Sequence, residues 1–224
     1  PILMHIVENF VSQGFNEFVF CLGYKSETIT NFFIKEKKRN KKILKKEKDN
    51  IKFRYDNNKL SFFGNLVFTG INTGTGGRIL TAYKKMSMSE NFIMTYGDGL
   101  SNVNIKKLIK FHTKNKSEVT LTAVRPKQRY GVIKIKKNRV KFFDNSKKKT
   151  DVYINGGFFV ISSNAVKKIK NKKVYWEKEP LSYFLKKKKL FAYKHEGFWK
   201  SLDTLKDKND FNEILKKQKK PWLI

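Results

Sequence analysis

Two aspartates have neighbours that suit chemistry. Asp98 lies between Gly97 and Gly99, directly after the apolar run Phe92 to Tyr96, and Asp203 follows Gly197-Phe-Trp-Lys-Ser-Leu. A carboxylate leaving the carboxyl end of a buried strand emerges where open α/β sheets bind their ligands. Magnesium takes one or two carboxylates and fills its remaining positions with water and substrate phosphates, so the pair suits a Mg²⁺–phosphate site. Taken alone, Gly-Asp-Gly is more often a plain turn, and Asp203 is more often a helix cap. Two glycine-rich stretches accompany them. Thr69-Gly-Ile-Asn-Thr-Gly-Thr-Gly-Gly-Arg78 runs into a helix over Ile79 to Lys85, where unpaired N–H groups would favour an anion. It matches no P-loop or dinucleotide fingerprint. Gly156-Gly157 interrupts the strand Tyr153 to Ile161, which implies a bulge or the close approach of a ligand, or equally a packing bend. The three histidines, His5, His112 and His195, lie in unrelated contexts and read as structural or surface residues rather than as bases.

The elements that must position these residues alternate. Ile2, Leu3, Ile6, Val7, Phe10 and Val11 have helical spacing and stop at Gly14, and Phe15 to Gly23 reads as a strand. Ser26 would cap the next helix, with Ile29, Phe32 and Phe33 on its buried face. Lys35 to Asn50 is lysine-dense and reads as a solvated helix or loop. Strands at Ile51 to Tyr55 and Leu66 to Thr69 flank Asp56-Asn57-Asn58. After Asp98 come a helix through Ile105, Leu108, Ile109 and His112, the strand Val119 to Val124, and a hairpin across Lys136 to Asn138. A short helix from Ser163 or Asn164, a helix over Glu177 to Lys188, the strand Leu190 to Lys194 and a helix over Leu205 to Lys216 complete the chain. The pattern predicts an α/β fold, a three-layer sandwich of Rossmann-like type around a mixed, mostly parallel sheet.

At 224 residues, with 39% hydrophobic and 14% aromatic residues, the chain can bury a single-domain core. The lone Cys21 excludes an internal disulfide and cysteine-rich zinc sites, and no apolar run has membrane-spanning length. A cytoplasmic protein with no membrane partner is expected. The formal charge is 50 − 19 = +31 and almost all lysine. The lysines are scattered and accompany Asn, Ile and Phe, as AT-rich codons favour. Solvated faces are therefore expected, with no specific nucleic-acid partner. Pro1 opens a helix without an initiator methionine, so a preceding segment is expected.

Phe92-IMTYGDGL-Leu100, Thr75-Gly-Gly-Arg78, Ile154-NGGFF-Phe159, Trp176-EKEPL-Leu181 and Gly197-FWKSLDTLKDK-Lys208 together resemble the glucose-1-phosphate cytidylyltransferases. These are sugar nucleotidyltransferases, and the likeness runs from Pro1 to about Trp222. It implies one nucleotidyltransferase domain over residues 1–224, lacking the family's first strand and its Gly-Gly-x-Gly-Thr-Arg loop. This chain then looks like a truncated and inactive copy of a homo-oligomeric enzyme of nucleotide-sugar and O-antigen biosynthesis. The implied reaction joins CTP and glucose 1-phosphate into CDP-glucose and pyrophosphate with Mg²⁺. By motif, Asp98 and Asp203 would be catalytic and hold the metal. Thr73, Arg78 and Gly97 would bind the nucleotide, and Asn155, Gly156 and Glu177 the sugar. The family's Glu-Lys-Pro falls on Asn145-Ser146-Lys147, where Lys147 or Lys148 would have to supply the phosphate contact. That departure keeps a second reading open, a catalytically degenerate nucleotide-sugar binding protein or a nucleotidyltransferase with other substrates. A nucleic-acid binder, suggested only by the charge, ranks last.

Overall fold

The computed structural model describes residues 1–35, 41–86, 88–126, 132–136, 138–144, 152–217 and 220–224. Ile6, Val7 and Phe10 form the buried stripe of α1 (Ile2–Ser12), and Gly14, at φ +91°, turns the chain into β1 (Glu17–Leu22). Helix α2 (Ser26–Thr30) runs into a π-helical turn, Asn31–Lys35. Its N-cap is Lys25, in the left-handed region, with no side-chain cap, so Ser26 is the first helical residue and not the cap. Most of the described part of the lysine-dense stretch is a strand and not a solvated helix or loop: Lys41–Glu47 is β2, antiparallel to β3 (Asn50–Asn57). Strand β4 (Leu60–Phe68) starts earlier than its apolar run suggests, because Asn57 Oδ1 accepts from the N–H groups of Lys59 and Leu60 and closes a tight hairpin.

Helix α3 (Thr75–Lys85) takes Gly76, Gly77 and Arg78 into its first turn. Then follow β5 (Asn91–Thr95), β6 (Gly99–Ser101), α4 (Ile105–Lys114), β7 (Val119–Val124), and the hairpin β8 (Val132–Lys136) and β9 (Arg139–Asp144). The chain continues through β10 (Ile154–Ser162), α5 (Ser163–Val166), capped by Ser162, α6 (Glu179–Lys186), β11 (Leu190–His195), β12 (Trp199–Ser201) and α7 (Leu205–Lys216).

Strand β10 shows the layering. Phe158 and Val160 on one face pack with Ile6 and Phe10 of α1, Ile105 and Leu108 of α4, and Phe211 of α7. Phe159 and Ile161 on the other face pack with Ile79 of α3, Ala165 and Val166 of α5, and Phe184 of α6. Alternate side chains of one strand thus face two helical layers, the three-layer arrangement expected. The sheet is mixed, with a smaller parallel share than the alternation of strands and helices implied. One ladder, β11-β7-β10-β5, has β7 and β11 parallel, while β10 runs antiparallel between β7 and β5. The other, β1-β4-β3-β2, is parallel only between β1 and β4 and buries a phenylalanine cluster of Phe20, Phe33, Phe53 and Phe62. No helix among the described residues is long and apolar enough to cross a membrane.

Candidate active site

The short antiparallel pair β6 and β12 builds the site. Trp199, Lys200 and Ser201 pair with Ser101, Leu100 and Gly99, and the Leu202 N–H donates to the Asp98 carbonyl at 2.8 Å. The ladder therefore ends with Asp98 and Asp203 on one cavity of about 230 Å³, shared with Tyr96, Asn155, Gly156 and Trp199 among others. Period-two alternation sorts the segment: Trp199, Ser201 and Asp203 face the cavity, while Lys200 turns away to an ion pair with Asp210. Asp203 Oδ2 accepts from Ser201 Oγ at 2.7 Å. Asp203 is not the cap of α7. Thr204 is, in a capping box with Asp207, whose carboxylate also accepts from the Asp203 N–H at 3.3 Å.

Burial on the cavity wall raises the Asp98 pKa above its ordinary value, the charge of Asp203 adding to the effect. Two carboxylates that repel across a partly dehydrated cavity form a donor set suited to a divalent cation, which would relieve both penalties. Among the described residues no group of three or more His, Cys, Asp and Glu side chains could hold a metal, so substrate oxygens and water would complete the shell.

The bulge expected at Gly156-Gly157 is present as a register shift against β7 between Asn155 and Phe159. Asn155 Oδ1 accepts from the Gly157 N–H at 2.9 Å, and the Gly156 carbonyl accepts from Trp199 Nε1 at 2.8 Å. Gly157 sits at φ +79°, and a β-carbon there would lie 2.7 Å from Cδ2 of Tyr96. The glycine thus gives the Tyr96 ring its seat on β10. The Tyr96 hydroxyl donates to Glu177 Oε1, and Thr75 Oγ1 donates to Glu177 Oε2 at 2.6 Å. Burial, followed by the bond to Glu177, raises the Tyr96 pKa and keeps the phenol protonated.

The glycine-rich loop before α3 has another use than the anion cradle its composition suggests. The Gly74 N–H donates to the Lys172 carbonyl at 2.9 Å and the Gly77 N–H to the Val174 carbonyl at 3.1 Å. A β-carbon on Gly77 would come within 2.0 Å of the Lys172 oxygen. These glycines dock the segment that carries Glu177. Thr73 and Arg78 lie outside the Asp98 cavity, at the carboxyl ends of β1 and β4. Arg78 Nη1 donates to Thr69 Oγ1 at 2.6 Å and to the Leu22 carbonyl at 3.2 Å, Nη2 approaches the Ile71 carbonyl at 3.5 Å, and Thr73 Oγ1 donates to the Thr69 carbonyl. Gly97 is open, and a β-carbon there would meet nothing within 4 Å. Of the sequence-predicted residues, the cavity collects Asp98, Asp203, Asn155 and Gly156, and Glu177 reaches its wall through Tyr96. Lys147 and the whole Asn145-Ser146-Lys147 segment lie outside the described residues. Tyr96, Trp199 and Ser201 were not foreseen; the alternation Trp199, Ser201, Asp203 carries a signal for two of them.

The family profile of nucleotidyl transferases matches residues 1–217. The glucose-1-phosphate cytidylyltransferase of Salmonella typhimurium is 33% identical, the alignment covering 99% of this chain and 86% of that protein. The probable glucose-1-phosphate cytidylyltransferase of Bacillus subtilis is 34% identical over 100% of this chain and 87% of its own length. A crystal structure of HddC from Yersinia pseudotuberculosis superposes with a TM-score of 0.65 at 20% identity, covering 96% of this chain and 85% of that one. The same protein complexed with GMP-PN gives a TM-score of 0.64. Both superpositions speak for the fold. By a profile spanning nearly its whole length and by relatives a third identical from end to end, the chain belongs to the nucleotidyl transferase family.

Proposed function

We propose that the chain carries the activity of a glucose-1-phosphate cytidylyltransferase, joining CTP and glucose 1-phosphate into CDP-glucose and releasing pyrophosphate. The observation that supports this reading most directly is the meeting of Asp98 and Asp203, remote in sequence, on one cavity of a chain similar throughout to such enzymes. A phosphate oxygen of the sugar phosphate attacks the α-phosphorus of CTP. The new P–O bond forms as the bond to the β-phosphate oxygen breaks, and pyrophosphate departs. Positioning and charge stabilisation dominate such a transfer. Asp98 and Asp203 are the residues we assign to a divalent cation, Mg²⁺, which when bound would neutralise charge on the phosphates.

The other assignments come from the family resemblance, and the geometry is compatible with them. A guanidinium has five N–H donors, and Arg78 spends three on protein oxygens, so two are left for a nucleotide. Thr73 flanks it, and Gly97 leaves backbone space beside Asp98. Asn155, Gly156 and Glu177 are assigned to the sugar, where hydroxyls need paired donors and acceptors. Substrates of this kind and a single free cysteine fit a cytoplasmic enzyme.

The test is pyrophosphate release by the full-length gene product. CTP with glucose 1-phosphate and Mg²⁺ should give turnover that a chelator abolishes, with slower turnover for UTP, GTP or dTTP. Silence with every pair, or indifference to the base, would refute the reading.

A further inference from the structure

Glu177 is held at two points from two different elements. Thr75, in the first turn of α3, accepts from the Trp176 N–H at 2.8 Å and donates to Glu177 Oε2 at 2.6 Å. Tyr96, at the end of β5, donates to Glu177 Oε1. The segment before Glu177 is itself fixed by backbone bonds to Gly74 and Gly77, which a β-carbon would break. On the other side the Tyr96 ring rests on Gly157 and meets Phe159 edge to face at 6.0 Å. Both anchors are therefore tied to the body of the fold. A carboxylate has about four lone-pair positions and this one spends two on its anchors, so it is oriented and can still accept from a ligand. Tyr96 also lines the cavity beside Asp98 and Asn155. Tyr96 thus touches both the Glu177 carboxylate, through its hydroxyl, and the cavity assigned to the sugar phosphate. Glu177 is exposed apart from these bonds, so without the phenol its side chain has only Thr75 to set its direction.

We propose that Tyr96 is a positioning residue for sugar selection: its hydroxyl fixes the Glu177 carboxylate at the cavity wall in the orientation that accepts hydrogen bonds from the sugar's hydroxyl groups. The inference rests on the reading of the chain as a sugar-phosphate enzyme. The rival role is a staple, in which the same bond only fastens the segment before α6 to β5.

A double-mutant cycle on the full-length protein separates the two, using Tyr96→Phe, Glu177→Ala and their combination. Calorimetry reads binding of glucose 1-phosphate, steady-state kinetics read KM for CTP, and thermal unfolding reads the fold. Removing a hydrogen bond to a charged group should weaken glucose 1-phosphate about tenfold in Tyr96→Phe, with KM for CTP unchanged. In the Glu177→Ala background the same change should have less than about a twofold effect, because the group it orients is gone. Tyr96→Phe should also discriminate less between glucose 1-phosphate and its deoxy analogues. A lower melting temperature with wild-type sugar-phosphate affinity would favour the staple and overturn the proposal, as would full additivity of the two substitutions. A wild-type protein that neither binds glucose 1-phosphate nor turns over would overturn this inference together with the function. An active wild type with an unaffected Tyr96→Phe variant would overturn the inference alone.

Discussion

Replacing Gly157 by alanine tests the site through its scaffold. Gly157 sits at φ +79°, where an L-residue costs about 1–2 kcal/mol. The added methyl would also lie 2.7 Å from Cδ2 of Tyr96, and in a side chain packed against Phe159 that overlap forces the ring off its seat. The displaced hydroxyl then loses its bond to Glu177, a charge-assisted bond of about 1.5–3 kcal/mol, part of which water recovers. The backbone term alone should lower stability by about 1–2 kcal/mol. In a domain of this size each kcal/mol moves the melting temperature by about 2–4 °C, so a fall of about 2–8 °C is expected. Glucose 1-phosphate binding should weaken about tenfold at the same time. Thermal unfolding followed by calorimetric titration reads both. The two terms separate in a Tyr96→Ala background, where the clash vanishes and only the backbone term should remain. A Gly157→Ala protein with wild-type melting temperature and wild-type sugar-phosphate affinity would refute both the strain and the seat.

Asp98→Asn should cut turnover at least about 100-fold, close to 2.7 kcal/mol of transition-state stabilisation, and added Mg²⁺ should restore only part of it in a metal titration. Gly97→Ala should leave the melting temperature within about 1 °C, because its β-carbon meets no protein atom, yet raise KM for CTP by occupying space assigned to the nucleotide. Thr204→Ala removes the capping box of α7 and should cost about 1 kcal/mol by denaturant titration; since Asp207 also holds the Asp203 N–H, the metal requirement should rise with it. His112 is 2% exposed, its pKa lowered by burial and only partly restored by Glu118. The unfolded chain therefore binds the extra proton first, so the His112 contribution is intact above pH 6.5 and lost as pH falls below it. Denaturant midpoints between pH 7.5 and 5.5 should decline, and less steeply in His112→Gln.

Much of the site could be read from the chain because its signals are local. Asp98 behind an apolar strand, the glycine pair inside β10 and the helix starting at Leu205 each announce themselves within a few residues. What was misread depends on partners distant in sequence. The N–H groups of Gly74 and Gly77 look like an anion site until the carbonyls of Lys172 and Val174 are seen to occupy them. Lys41–Glu47 has no apolar alternation to mark a strand, and its ladder to β3 supplies the order that its side chains do not. Tyr96 reads as one more core aromatic at a strand end, and only the fold brings it to Glu177.

That lysine-bearing strand, β2, is the outermost member of its ladder, with Lys42, Lys45 and Lys46 all exposed. Among the described residues no strand pairs with its outer edge, which is a template on which another extended chain could crystallise into cross-β stacks, and like-charged ammonium groups are a deterrent to that growth. Neutralising them, by acetylation or by Lys→Gln replacement, should shorten the lag before fibrils appear. The basic fringe thereby serves colloidal survival.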